Sequence, residues 1–180
     1  MKMRESKGFT LIELLIVVAI IGIIAAIAVP GLLRARMSGN EASAIGSLRA
    51  INSGQAAYSS SCAQGGYATT LVDLALPVGG GQGFISPDLA LNPSVKSGYT
   101  VALGAGLAPI VVTLKANTCT PAATNDAMSV YFASASPVTF GGTGTRHFGT
   151  DTRGTIFQNT ADVALTNATL ATAGTISPVQ

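Results

Sequence analysis

Residues that could do chemistry are sparse in this chain, and Glu13 stands out among them because of its surroundings. It precedes an apolar run that carries no charged residue from Leu14 to Leu33. A helix of that length covers about 30 Å, which is the hydrocarbon thickness of a bilayer. An ionisable group at membrane depth is costly and by default indicates a function. We therefore expect Glu13 to have a specific partner.

No set of residues indicates catalysis. His147 is the only histidine, and because no second histidine or cysteine lies near it in sequence, it favours a strand residue over a metal ligand or a base. Serines are plentiful, but they form no recognisable nucleophile–base set. Asp126 and Asp151 could bind calcium, although no dense Asp/Asn cluster surrounds them. We predict no catalytic residue, no metal site and no cofactor, and a chain that is not an enzyme.

The two cysteines, Cys62 and Cys119, both follow the apolar run. If that run exports the rest of the chain, they meet an oxidising compartment, where pairing is favoured. A bridge closing a loop of this length would stabilise the fold by about 4 kcal/mol in the chain-entropy model. Two buried free thiols are the alternative. The absence of a Cys-x-x-Cys pair disfavours redox catalysis and a zinc site.

The net charge of +2 is a property of the first eight residues. They hold Lys2, Arg4 and Lys7 against Glu5, and the remainder of the chain has seven basic and seven acidic side chains. A neutral head has no broad electrostatic surface for nucleic acid, so we predict no nucleic-acid partner. Only 10% of the residues are charged, which suits an extracellular surface.

We predict one long helix over residues 9–61, whose first part, residues 9–33, is apolar enough to cross a membrane. The second part is amphipathic, because apolar residues recur there at three- and four-residue spacing. This stripe consists of Ala44, Leu48, Ile51 and Tyr58, with Ile45 beside them. The stripe is expected to pack on the sheet of the chain's own head.

Three residues interrupt the apolar part of this helix. Pro30 removes a helical hydrogen bond and clashes with the preceding turn, so we expect a kink or a local break there. Gly31 follows it directly, and Gly22 is a second weak point.

Residues 62–180 are predicted to form a globular β-sheet head, which makes the fold class α+β. Alternating apolar residues predict strands around 99–103, 110–114, 128–132, 146–150 and 155–158. Asp151 and Gly154 occupy the first and fourth positions of a predicted tight turn between the last two strands. Residues 63–97 are predicted to be an irregular connector with a short helical turn, and residues 161–180 an edge strand or a mobile loop.

The basic leader favours a cytoplasmic N-terminus, with the head on the other side of the membrane. An ordinary secretory signal is one interpretation, since Ala26-Ile27-Ala28 is an A-x-A cleavage pattern. That interpretation predicts a soluble mature protein that begins at Val29. Glu13, near the start of the apolar core, argues against it.

Residues 8–13, Gly-Phe-Thr-Leu-Ile-Glu, resemble the N-terminal motif of type IV pilins and of the pseudopilins of type II secretion. The resemblance continues along the apolar run to Pro30 and covers roughly the first fifth of the chain. Residues 131–156 are similar, more loosely, to the C-terminal sheet of small pilin-like heads. No cysteine follows Cys119, so the disulfide-enclosed C-terminal loop of many pilins has no counterpart here.

The resemblance implies a processing scheme. A prepilin peptidase would cut between Gly8 and Phe9, remove residues 1–8 as a leader, and methylate the new Phe9 amine. The Glu13 carboxylate would then meet the Phe9 amine of a neighbouring subunit and set the register of the filament. The segment from Gly22 to Gly31 would unwind on assembly.

The function implied is that of a type IV pilin, a structural subunit that polymerises through its N-terminal helix. The expected partners are copies of the chain, prepilin peptidase, the inner-membrane pilus or secretion assembly machinery, and membrane lipid before assembly. The expected location is the inner membrane, followed by an extracellular surface filament. One alternative is a pseudopilin in a periplasmic pseudopilus, and another is an exported binding module cut after Ala28.

Overall fold

The computed structural model describes residues 8–120, 122–171 and 176–179. The chain divides into two compact units, Met1–Arg36 and Met37–Gln180, and each is described by itself. The predicted leader lies outside the described residues, except for Gly8.

The first unit is the N-terminal part of helix α1, which extends over Leu11–Ser61. Every side chain from residue 8 to residue 36 is exposed. Among the described residues, α1 is the one helix long and apolar enough to cross a membrane, by length and composition. Pro30 lies inside α1, and the helix continues through it. Unwinding between Gly22 and Gly31 on assembly stays a prediction.

The second part of α1 supplies one wall of the head. The stripe predicted from the helical spacing is buried, at Ala44, Leu48, Ile51 and Tyr58, and Ile45 packs partly buried beside it. Burying a side chain such as Leu48 or Ile51 stabilises the fold by about 1.5–3 kcal/mol. The prediction that this stripe packs within the head is confirmed, and so is the α+β fold class, a long helix on an antiparallel sheet.

The head contains a short helix α2, Leu71–Ala75, and eight strands. The strands are β1 Ser94–Lys96, β2 Tyr99–Ala105, β3 Val111–Thr113, β4 Ala127–Met128, β5 Tyr131–Pro137, β6 His147–Asp151, β7 Ile156–Asn159 and β8 Ile176–Pro178. Six of them form an antiparallel sheet in the order β1-β2-β5-β6-β7-β8. The other two, β3 and β4, form a separate two-stranded sheet. Three single 3₁₀ turns lie at Pro87–Leu89, Lys115–Asn117 and Thr169–Ala171.

The core lies where the six-stranded sheet meets α1. Strand β2 alternates buried and half-buried residues, and it buries Tyr99, Val101 and Leu103. Its neighbour β5 buries alanines at the matching positions, Ala133 and Ala135. A buried alanine occupies little volume, so a strand lined with alanines leaves room for the larger side chains of a packed helix.

Two strand predictions were wrong in detail. We predicted that Met128, Val130 and Phe132 share one strand face, but β4 ends at Met128 and β5 begins at Tyr131. Tyr131 is buried, whereas Phe132 is only half-buried on the other face. The alternation at 133 and 135 consists of alanines, which carry too weak an apolar pattern to fix the strand phase in advance.

The apolar residues of the strand predicted at 110–114 were expected to face the core, and this was wrong. Strand β3 buries Thr113 and leaves Ile110, Val112 and Leu114 exposed. The Thr113 hydroxyl donates a hydrogen bond of 2.7 Å to the carbonyl of Ala63, and this bond satisfies a buried polar group. The strand therefore turns its apolar residues outward.

The sequence pattern missed one edge of the main sheet and gave the other only as an alternative. Strand β1 lies in the predicted irregular connector and joins β2 through Ser97 and Gly98, which have φ angles of 49° and 71°. Strand β8 lies in the C-terminal tail and pairs with β7, so the edge-strand alternative holds for Ile176–Pro178. Before it, Leu165 and Leu170 are buried.

One tight turn follows the sequence expectation, and one close approach of the backbone was not anticipated. The turn from Asp151 to Gly154 closes with a hydrogen bond of 2.8 Å from the Gly154 N–H to the Asp151 carbonyl, and Gly154 has a φ of 74°. At Gly144 the backbone approaches the ring of Tyr99 so closely that an added Cβ would lie 2.0 Å from its hydroxyl oxygen. Only glycine fits at position 144.

Cys62 and Cys119 form a disulfide, as predicted, with their Cα atoms 4.7 Å apart. The bond joins the residue after the end of α1 to the loop that follows the second 3₁₀ turn. The Cys119 N–H also donates to the Cys62 carbonyl, at 3.3 Å. The loop closed by the bond spans a sequence separation of 57 residues.

Replacing both cysteines with serine should lower the free energy of unfolding by about 2–5 kcal/mol, because the open chain gains conformational entropy when it unfolds. The measurement is urea unfolding of the full chain in detergent, followed by the circular dichroism of the head. Wild-type chain under reducing conditions is the control and should match the variant. Equal stability of the oxidised wild type and the variant would contradict this account.

Candidate functional site

Glu13 lies in the first turn of α1 and is bound by the residue that precedes the helix. The Thr10 N–H and the Thr10 hydroxyl donate to Glu13 Oε2 at 2.9 and 2.6 Å. In return, the Glu13 N–H donates to the Thr10 hydroxyl at 3.3 Å. This reciprocal arrangement is a capping box, which satisfies N–H groups that the first helical turn leaves without partners.

The capping box was not anticipated from the sequence, although its spacing was visible. A threonine followed three residues later by glutamate, just before an apolar run, is the usual pattern. It gives Glu13 a partner within its own chain, Thr10, in addition to the intersubunit partner that the resemblance implies. The positive end of the helix dipole lies in the same turn and also favours the Glu13 carboxylate.

The other predicted residues of the first unit occupy an open surface. The side chain of Phe9 is 91% exposed, and Gly8 precedes it in a segment without regular structure. Apart from its chain neighbours and the backbone of α1 itself, no heavy atom lies within 4 Å of a Cβ built on Gly22 or on Gly31. The structure therefore places these residues on one uncovered helix, where lipid or further chains can reach every face.

The comparisons with known proteins concern this N-terminal segment. Residues 3–29 match the family model described as the prokaryotic N-terminal methylation motif. The chain is 64% identical over 39 residues to the type IV wide pilus major component PilA4 of Thermus thermophilus, covering 22% of this chain and 30% of that protein. No solved structure matches the chain.

Two further relatives are also similar to this chain over short segments. The type IV major pilin protein PilA of Myxococcus xanthus is 46% identical over 54 residues, which are 30% of this chain and 24% of PilA. A fimbrial protein of Pseudomonas aeruginosa is 79% identical over 28 residues, 16% of this chain and 18% of that protein. The chain thus spans less than a third of the length of these relatives. The matched motif and these relatives show that the N-terminal segment of this chain is similar to that of type IV pilins.

In the head, α1 is joined to the sheet by a charged pair that the sequence analysis missed. Glu41 Oε2 accepts hydrogen bonds of 2.9 and 2.6 Å from Nε and Nη2 of Arg146. Its other oxygen accepts from the N–H and the hydroxyl of Thr145, at 2.8 and 3.0 Å. Arg146 also donates to Gln158 Oε1 at 2.7 Å. All four oxygen contacts of the Glu41 carboxylate thus come from residues that adjoin β6.

Opposing effects act on the pKa of Glu41. Burial by itself would raise the pKa, because it disfavours the charged carboxylate. The hydrogen bonds from Thr145 and Arg146, together with the positive charge of Arg146, outweigh burial and hold the pKa of Glu41 below its ordinary value. The head therefore gains stability from the ionised form of Glu41.

A second buried carboxylate, Asp73, fixes the loop that follows the disulfide. Its Oδ1 accepts hydrogen bonds of 2.7 and 2.8 Å from the N–H and the hydroxyl of Thr124, and its Oδ2 accepts one of 3.0 Å from Asn125. Burial alone would raise the pKa of Asp73, but these bonds hold it below its ordinary value. The carboxylate is already satisfied by protein donors, so its role is to hold this loop to α2.

The other acidic candidates are also engaged. Asp126 accepts a hydrogen bond of 2.8 Å from the Lys115 N–H, and Asp151 pairs with Arg153 at 2.8 Å. Over residues 8–120, 122–171 and 176–179, no group of three His, Cys, Asp or Glu side chains could hold a metal ion. Neither Asp126 nor Asp151 therefore belongs to such a group.

His147 lies on β6 and is buried. Its ring stacks on Phe140 with the centroids 5.7 Å apart, and its Nε2 lies 3.5 Å from Oδ1 of the exposed Asp162. Neither ring nitrogen has a hydrogen-bond partner in the described part of the chain. Among the described residues no serine or cysteine is hydrogen-bonded to this ring, and the contacts of His147 are the stacking on Phe140 and the approach of Asp162.

Glu41→Gln should lower the free energy of unfolding at pH 7 by about 3 kcal/mol. This is the lower end of the range for breaking a buried ion pair. We expect the lower end because a third of the Arg146 side chain is exposed to solvent. Asp88→Asn is the control. It breaks a surface pair with Lys96 and should cost under about 1 kcal/mol. Chemical denaturation of the full chain in detergent measures both.

The same variant tests the pH dependence. Because the folded pKa of Glu41 lies below its unfolded value of about 4.3, its contribution is complete above that pH and is lost as the pH falls through the folded pKa. Wild-type stability should therefore decrease more steeply than that of Glu41→Gln below about pH 4.5. Parallel pH profiles for the two proteins would contradict the assignment.

Proposed function

We propose that this chain is a structural subunit of a type IV pilus. It is cleaved between Gly8 and Phe9, methylated on the Phe9 amine, and polymerised through the apolar part of α1. The observation that carries the proposal is the exposed apolar helix, most of which lies within the methylation motif matched at residues 3–29. The relatives with similar N-termini bear the names of pilins, which supports a structural role and not an enzymatic one.

The physical argument concerns what must cover α1. Its side chains from Leu11 to Leu33 are exposed on all sides of the helix, and the aliphatic ones among them cannot stay in water. Lipid covers them in the precursor, which fits a membrane-anchored chain. After extraction, the helices of other copies provide the same cover. Prepilin peptidase and the inner-membrane assembly machinery are the proposed partners of these steps.

A pseudopilin polymer is the alternative with the same helix chemistry. The names of the relatives favour a pilus over a pseudopilus. The exported module cut after Ala28 has less support. It would discard nearly all of the segment that matches the methylation motif.

The mass of the mature N-terminal peptide tests the processing step. We expect a peptide that begins at Phe9 and carries one added methyl group, in protein purified from the cell surface. A mature protein that begins at Val29 would refute the pilin proposal and support an ordinary secreted module.

The role of Glu13 can be separated from the role of the capping box with two variants. Thr10→Val removes the hydroxyl bonds at a cost of about 1 kcal/mol to the helix start, but keeps the carboxylate. Glu13→Ala removes the carboxylate. If Glu13 pairs with the Phe9 amine of a neighbour, Glu13→Ala should be cleaved normally and assemble poorly, because an unpaired buried charge costs about 3–5 kcal/mol.

In that case Thr10→Val should assemble at close to the wild-type yield, measured as sheared filament mass per cell. Thr10→Ser, which keeps a hydroxyl, is the control for the size of the side chain. Equal loss in Thr10→Val and Glu13→Ala would assign Glu13 to capping alone. Normal filament yield in Glu13→Ala would rule out the registration role.

A further inference from the structure

A group of five exposed aliphatic residues lies on strand β3 and on the segments that flank it. We call this group the ridge, and it consists of Leu107, Ile110, Val111, Val112 and Leu114. Leu107 is 66% exposed and Ile110 is 71% exposed. No charged residue lies in the sequence between Lys96 and Lys115. Exposed apolar surface of this kind marks an interaction site.

The ridge is held in a fixed shape. Strand β3 pairs with β4, and Ile110 exchanges hydrogen bonds with Ser129 through its N–H at 3.1 Å and its carbonyl at 2.8 Å. The C-terminal end of the ridge, next to Leu114, is fixed by the hydrogen bond from the Lys115 N–H to Asp126. A rigid apolar surface loses little conformational entropy on docking, which favours a specific contact.

The same head has a groove with matching chemistry. One wall is the exposed face of α1 at Ala50, Ser53 and Ala57, and the other is formed by Ala75, Pro77, residues 81–87 and Ala90. Its volume is about 950 Å³, and no charged side chain lines it. Since neither surface carries a charge, ridge and groove can be brought together without desolvating an ion.

The size of the ridge argues for one kind of occupant. Its five aliphatic residues are 44–71% exposed and present an apolar surface on the order of a few hundred Å². A stable complex between free partners buries about 800 Å² on each side. A contact this small suits molecules already held at high local concentration by another attachment. Copies joined through α1 meet that condition.

We infer that the ridge of one head packs into the groove of the next head in the assembled filament. This inference rests on the proposed polymerisation through α1. The two surfaces are different patches of the same chain, so the contact is heterologous and repeats from copy to copy without closing. It gives the heads a defined neighbour, in addition to the packing of the helices.

Single substitutions test each surface in the full-length chain. Ile110→Lys places a charge on the ridge, and Ala57→Glu places one in the groove. Each should lower filament yield about tenfold, because the contact would bury an unpaired ion. Val95→Lys is the matched control. It charges an equally exposed aliphatic residue of β1, 68% exposed and outside both surfaces, and should leave the yield within about twofold of wild type.

The double variant tests whether the two surfaces meet. A chain with both Ile110→Lys and Ala57→Glu presents a lysine to the glutamate of its neighbour, and its filament yield should recover toward wild type. Thermal unfolding of each variant in detergent should match wild type, since both positions are exposed.

The outcomes separate the two proposals. If wild-type chain forms no filaments, the proposed function fails, and this inference fails with it. If wild type assembles and Ile110→Lys assembles as well as Val95→Lys, the ridge is not an interface and the inference alone is wrong. A loss in both single variants without recovery in the double variant would assign the ridge to a different occupant, such as the ridge of another copy or a lipid surface.

Discussion

The constraint that governs this molecule is the insolubility of the first part of α1. A helix that is apolar on every face is not stable as a monomer in water, because none of its faces can be exposed without cost. In the head, by contrast, the same helix has one buried stripe and one exposed face, which is the pattern of an ordinary globular protein. One continuous element therefore serves two environments, and the change occurs where charged residues return after the apolar run, at Arg34 and Arg36.

A second constraint is that the head must be attached firmly to its part of α1. Apolar packing supplies the bulk of the attachment, through Leu48, Ile51 and Tyr58. The Glu41–Arg146 pair fixes the orientation of this part of α1 on the sheet, because a guanidinium and a carboxylate bind in only a few geometries. The disulfide adds a covalent attachment at the end of the helix.

Features with a short repeat could be predicted from the sequence. The stripe on α1 follows the helical period, and the turn at Asp151–Gly154 follows local turn chemistry, so both were found. The Thr10–Glu13 box is equally local and was missed only because its glutamate was considered as an intersubunit charge. The methylation motif is a run of adjacent residues, and the resemblance drawn from it is confirmed by the family match.

Features that depend on the order of strands could not be predicted. Glu41 and Arg146 are 105 residues apart, and nothing in the sequence shows that β6 passes beside that turn of α1. The face of β3 was wrong because an apolar strand is normally taken to point inward, whereas here a buried threonine bonds to Ala63. The pattern at 110–114 was correctly recognised as apolar. What the sequence could not supply was the side on which those residues lie.

The bond between Cys62 and Cys119 has a consequence for proteolysis. It makes the chain between these residues a closed covalent ring, which includes the glycine-rich loop at Gly79–Gly83 on the surface of the head. A protease that cuts this loop opens the ring but leaves the two pieces joined through sulfur. A nicked subunit therefore keeps its head attached to its helix, and the cut becomes visible only after reduction.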